Sequence, residues 1–121
     1  MTELVQDPTT RQAILPVFFP EDTGYRPGRR KPCSLFYHFM LNGANGLDIS
    51  YQLRSCDIAH HFRDDIYLTV RLLLWVIVQC RLQDPDFWNV ILPGTFVMQI
   101  ANLHCFRNDF IALKKEYGHA D

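Results

Sequence analysis

No apolar run in this sequence exceeds seven residues, Leu72 to Val78, far short of the roughly 20 that a membrane-spanning helix needs. No basic stretch followed by an apolar segment opens the chain, so no secretory signal is expected. Charge of one sign is also lacking: 12 Lys+Arg stand against 13 Asp+Glu, a net charge of −1. That balance argues against a protein built to grip nucleic-acid backbone. The four cysteines, Cys33, Cys56, Cys80 and Cys105, form no C-x-x-C pair. Without a secretory context, disulfides have no support. Apart from the adjacent His60 and His61, no Cys or His pair has metal-ligand spacing, so no metal centre is expected. There is no internal repeat and no low-complexity segment. What remains is a 121-residue chain, 48% hydrophobic and 21% charged, expected to fold as one cytoplasmic domain over 1–121 with no membrane partner.

Several segments have a readable period. Ala13 to Phe19 is a short β-type run that Pro16 demotes to an edge or bulged strand. Pro20 to Pro32, with three prolines and Arg29-Arg30-Lys31, predicts an exposed loop whose charges are solvated. Ser34 to Leu41 and Leu47 to Leu53 flank Asn42-Gly43-Ala44-Asn45-Gly46, a hairpin signal, since Asn and Gly tolerate positive φ. Leu47, Ile49, Tyr51 and Leu53 alternate with polar residues, so one strand face is buried. Asp64 to Arg81 changes to a helical period and is apolar nearly all round, which predicts a buried helix sheathed by other elements or by a partner subunit. Asp64 or Asp65 is expected to cap or charge-stabilise its start. Leu82 to Gly94 reads as a loop, Thr95 to Leu103 as a strand and Phe106 to Tyr117 as a helix with Lys114 and Lys115 near its end. Cys80 and Cys105 read as buried structural thiols. The fold class is α/β (α+β), with an antiparallel-rich sheet packed on a long buried helix.

Polar residues gather at the transitions between these segments: Cys33 before the hairpin, Arg54-Ser55-x-Asp57 after it, Asp65 at the helix start and His104 past the last strand. Element ends are where sites are built. Singly, each has a plain reading. Arg54 and Asp57 suit a local ion pair, His104 a surface histidine, and Asp65 a helix cap.

Together and in this order, Pro32-Cys33, His38-Phe39, Arg54-Ser55-Cys56-Asp57, Asp65, Pro93-Gly94-Thr95-Phe96-Val97 and Ile100 to Phe106 resemble the catalytic half of the thymidylate synthase family. In that family a Pro-Cys carries the nucleophile, and a Gln five residues on faces the site. A Gln-Arg-Ser-x-Asp motif binds phosphate and base, an Asn eight residues later reads the pyrimidine, and a His-x-Tyr holds the sugar. Here Asp65 follows Asp57 by eight residues, and His104-Cys105-Phe106 stands in for His-x-Tyr. Asp7-Pro8-Thr9-Thr10-Arg11 resembles a segment whose arginine reaches the partner subunit's phosphate.

The resemblance implies a homodimeric transferase that uses 5,10-methylenetetrahydrofolate to carry a one-carbon unit to the 5-carbon of a pyrimidine deoxynucleoside monophosphate. Cys33 would add at the 6-carbon, with Arg54 favouring its thiolate and gripping the phosphate. Arg11, His38, Ser55, Asp57, Asp65, His104 and Phe106 would bind the substrate. Asp65 replaces the family's Asn, and a carboxylate prefers cytosine's exocyclic amine to uracil's carbonyl. Phe62-Arg63-Asp64-Asp65 also resembles the Phe-Arg-Asn-Asp of phage deoxycytidylate hydroxymethylases, which add water to the transferred methylene. Ser34, His38, Leu53 and Phe106 depart from the synthase pattern, which has His, Gln, Gln and Tyr there. The family's N-terminal region, with its general-base glutamate, and its C-terminal tail have no counterpart here. The alternative reading is a non-catalytic nucleotide-binding or dimerisation module derived from the same fold.

Overall fold

A computed structural model describes residues 1–25 and 27–118. A four-stranded sheet is built from β1 (Ile14–Pro16), β2 (Ser34–Leu41), β3 (Gly46–Leu53) and β5 (Leu92–Ile100), in the order β1-β2-β3-β5. The first two pairings are antiparallel and β3–β5 is parallel. The parallel step requires a crossover, and α2 (Phe62–Gln83) supplies it. A second ladder pairs β4 (Cys56–Asp57) with β6 (Leu103–His104), also parallel. Three further helices complete the fold: α1 (Thr2–Gln6), α3 (Pro85–Trp88) and α4 (Arg107–Tyr117).

The hairpin forms where the Asn/Gly pairs stand. Asn42 Oδ1 accepts from the N–H groups of Ala44 (2.9 Å) and Gly46 (3.0 Å), and Asn45 takes the positive φ of 58°. Along β3 the alternation is realised: Leu47, Ile49, Tyr51 and Leu53 are buried and meet Leu73, Val76, Ile77 and Cys80 of α2 or the smaller cluster around Cys56. Asp48, Ser50 and Gln52 point to the other side of the pleat. β1 is an edge strand, consistent with Pro16.

Four expectations are corrected. The segment from Leu82 to Gly94 is not a loop: α2 runs to Gln83, Asp84 caps α3 by accepting from the Phe87 N–H (3.3 Å), and β5 starts at Leu92. Pro93 is tolerated inside β5 because that strand is the other edge of the sheet. Gly94 is required there. A Cβ would collide with Asp48 Oδ1, which accepts the Thr95 N–H at 2.6 Å. Secondly, the other elements of this chain do not sheathe α2 all round. Its Thr69, Leu73, Val76, Ile77 and Cys80 face the core, while Leu68 (59% exposed), Trp75 (51%) and Leu82 (74%) lie open on this single chain. Thirdly, of the two roles expected of Asp64 and Asp65, capping gives way and charge stabilisation holds. The N-cap is His61, and both carboxylates sit inside the first turn, where the helix dipole still favours them. Fourthly, Cys105 is half-buried, unlike the fully enclosed Cys80.

Candidate functional site

The two-residue ladder between β4 and β6 creates the site. Cys56 pairs with Leu103 and Asp57 with His104, so the segment after the hairpin and the segment after β5 lie side by side. The Cys56 N–H donates to Asn102 O and the Ile58 N–H to His104 O, both at 2.9 Å. The chain between them runs through α2, α3 and β5, and this pairing brings Ser55 Oγ to 3.2 Å from His104 Nδ1. Cys33 enters from the start of β2, where its carbonyl accepts the Arg54 N–H (2.9 Å). Next to it, Ser34 Oγ lies 2.5 Å from the hydroxyl of buried Tyr51, which stacks on Tyr37 with ring centroids 4.3 Å apart. Burial is the main cause that pushes the Tyr51 hydroxyl pKa upward, so it stays a neutral partner for Ser34.

These elements enclose a cavity of about 240 Å³ lined by Arg30, Cys33, Ser55, Cys56, Asp57, His61, Asp65, His104 and Phe106. Of the residues expected from sequence, Cys33, Ser55, Asp57, Asp65, His104 and Phe106 are brought together. His104 and Phe106 meet edge to face, with ring centroids 5.3 Å apart. Asp57 is buried, and its Oδ1 accepts the Ala59 N–H (2.9 Å) instead of pairing with Arg54.

Arg54, His38 and Arg11 are not among the lining residues. Arg54 Nε donates to Pro32 O (2.8 Å) and Nη2 to Lys31 O (3.0 Å). The guanidinium thus anchors the backbone that delivers Cys33 and borders an adjacent open hollow with Phe18, Tyr25, Arg29 and Lys31. His38 lies on the sheet face turned away from α2, in a shallow hollow with Met40, Asp48, Ser50 and Val97. Its Nε2 contacts Arg11 O at 3.0 Å, and Arg11 itself is exposed.

Three cavity residues escaped the sequence reading. Arg30 reads as loop charge, yet it lies three residues before Cys33, and that proximity is a usable signal. His61 enters because it is the N-cap of α2. Cys56 occupies the variable position of Arg-Ser-x-Asp and is buried, with its Sγ donating to Asp65 Oδ2 at 3.4 Å. Burial, then the Asp65 carboxylate, pushes the Cys56 thiol up to about 11. It therefore remains an S–H donor at neutral pH and holds one oxygen of Asp65, leaving the other for a ligand.

No family model matches the chain, and no curated protein sequence matches it. Among solved structures, the thymidylate synthase of T4 phage is similar over 95% of this chain, with a TM-score of 0.68 and 22% identity. This chain has the thymidylate synthase fold. It spans 36% of the length of that phage enzyme. Within the described residues, the thymidylate synthase fold accounts for the mixed sheet crossed by one long helix, and no helix is long and apolar enough to cross a membrane.

Proposed function

We propose that this chain builds the nucleotide-activating part of a thymidylate synthase-type one-carbon transferase, with a pyrimidine deoxynucleoside monophosphate as substrate and 5,10-methylenetetrahydrofolate as donor. The observation that carries the reading is the convergence of Cys33, Ser55, Asp65 and His104, which are far apart in sequence, on one cavity. Cys33 is exposed at that cavity and is its accessible thiol, whereas Cys56 is enclosed and held protonated. A thiolate from Cys33 would add to the pyrimidine 6-carbon, forming an S–C bond and moving the electron pair to the 5-carbon. Arg30 faces the cavity and supplies a cation for the phosphate, with the Ser55 hydroxyl and Arg54 at the neighbouring hollow beside it. Asp65 would accept from the base, and His104 with Phe106 would hold the sugar.

A cavity of about 240 Å³ lies below the roughly 300–1,000 Å³ of whole drug-sized ligand sites. It suits one nucleotide-sized group and offers no second aromatic wall for a pterin besides Phe106. The residues present do not by themselves fit the folate, so the steps that this chain's side chains account for end at the activated nucleotide. That mismatch favours a second reading, in which the chain binds the nucleotide without turning it over.

The sheet face away from α2 exposes Ile14 (53%), Met40 (40%) and Val97 (45%) beside Arg11, and such an apolar patch suits a symmetric homodimer. Mixing Arg11→Ala with Cys33→Ser chains then restores activity if Arg11 serves the partner's site.

Tritium release from the 5-position of dCMP or dUMP, with the folate present, tests the main reading. Release that disappears in Cys33→Ser supports it. Nucleotide binding by calorimetry without release supports the binding module, and neither binding nor release refutes both.

A further inference from the structure

We propose that Asp57, His60 and Asp109 bind one divalent first-row transition-metal ion, fastening α4 to the strand end beside the cavity. One ligand atom from each of the three lies within 4.8 Å of the other two. His60 Nε2 and Asp109 Oδ2 are 3.0 Å apart, the edge of an octahedron whose bonds are about 2.1 Å long. Closing the remaining separations needs only side-chain rotation, because the His60 and Asp109 side chains are 56% and 30% exposed.

A second observation points to the same place. Asp57 is only 5% exposed, and while its Oδ1 accepts the Ala59 N–H, no described group donates to Oδ2. That oxygen is not itself enclosed, because Trp88 Nε1 is the one buried side-chain polar atom without a partner among the described residues, so a cation can approach it. The His60–Asp109 contact answers one of the two carboxylates. The other, Asp57, has no ion-pair partner among the described residues. Two carboxylates with one neutral imidazole balance a dication. The mixed O/N set selects Mn²⁺, Fe²⁺, Co²⁺ or Zn²⁺ over Mg²⁺, which seldom takes an imidazole.

The sequence concealed this set because Asp109 is far from the Asp57-x-x-His60 pair and only the folding of α4 beside β4 brings it close. The cluster shares Asp57 with the cavity, and its metal-binding test reads the same whether or not the cavity is catalytic.

Mn²⁺, which has little affinity for thiols, is the first probe. Titrating the full chain and reading free Mn²⁺ by electron paramagnetic resonance should show one ion bound per chain. His60→Ala and Asp109→Asn, each checked for folding by circular dichroism, should weaken binding about tenfold or more. Bound Mn²⁺ should also raise the melting temperature of the unaltered chain and not that of His60→Ala. A parallel Co²⁺ titration should give d–d bands without thiolate charge transfer. No uptake at millimolar Mn²⁺, equal uptake by both variants, or a thiolate band would each overturn the site.

Discussion

Replacing Asp65 with Asn should reverse the choice of base, and the structure says why. Asp65 is half-buried in the first turn of α2, with Oδ2 accepting from the Cys56 S–H at 3.4 Å. The Cys56 thiol, held up at about 11, keeps its proton at neutral pH and must have an acceptor. In the native chain the other carboxylate oxygen is therefore left to accept from the cavity, which suits an exocyclic amine and opposes a carbonyl oxygen. In Asp65→Asn, Cys56 would hold the amide oxygen, so the Nδ2 group turns to the cavity as a donor. A buried polar group left without a partner loses about 1–3 kcal/mol, or roughly ten- to a hundredfold in affinity. Calorimetric titration should thus show dCMP preferred over dUMP by about that factor in the native chain and the reverse in Asp65→Asn. Loss of a first-turn carboxylate should lower stability by only about 0.3–1 kcal/mol, and Asp64 remains to meet the dipole. The companion variant Cys56→Val, combined with Asp65→Asn, frees the amide to turn either way and should collapse the preference. Equal affinities for the two nucleotides, unchanged in Asp65→Asn, would refute the reasoning and leave Asp65 as a dipole-stabilising residue. A reversal that survives Cys56→Val would refute the part assigned to Cys56.

Iodoacetamide should modify Cys33 first and the half-buried Cys105 more slowly, with Cys56 and Cys80 protected until the chain unfolds; peptide mass mapping that finds Cys56 labelled as fast as Cys33 would contradict the packing. The raised Cys56 thiol means the folded chain holds a proton that the unfolded chain releases above its ordinary pKa near 9. Its contribution is full below that pH and lost as pH climbs toward about 11, so stability to urea should fall across that window by roughly 2 kcal/mol and fall less in Cys56→Ser. Gly94→Ala should cost about 1–3 kcal/mol in urea unfolding, because its Cβ would meet Asp48 Oδ1 and the Leu47 backbone; an unchanged midpoint would show that β3 and β5 can separate there.

Local chemistry was enough to set the hairpin, β3 and α2. The Asn/Gly pairs made the hairpin, period-two burial made β3, and the helical period made α2, since each depends on residues within a few positions of one another. The spacing from Asp57 to Asp65, and the order of motifs from Cys33 to His104, also lay in the sequence and pointed to the residues that gather at the cavity. The chain alone did not reveal where long-range pairing would send each side chain. The Asn102–Cys56 and His104–Ile58 backbone bonds close the cavity across more than 40 residues, and no local pattern announces a two-residue ladder. Arg54 suited an ion pair with Asp57 or a grip on phosphate, but the backbone carbonyls of Lys31 and Pro32 claim its guanidinium, which leaves Arg30 facing the cavity. The apolar surround of α2 implied burial, yet a single sheet can cover only one side of a helix, so exposure of Leu68 and Trp75 was decided by the tertiary structure. Asp109 met Asp57 and His60 for the same reason: contacts between distant segments depend on how elements dock, and sequence period fixes only which faces are available.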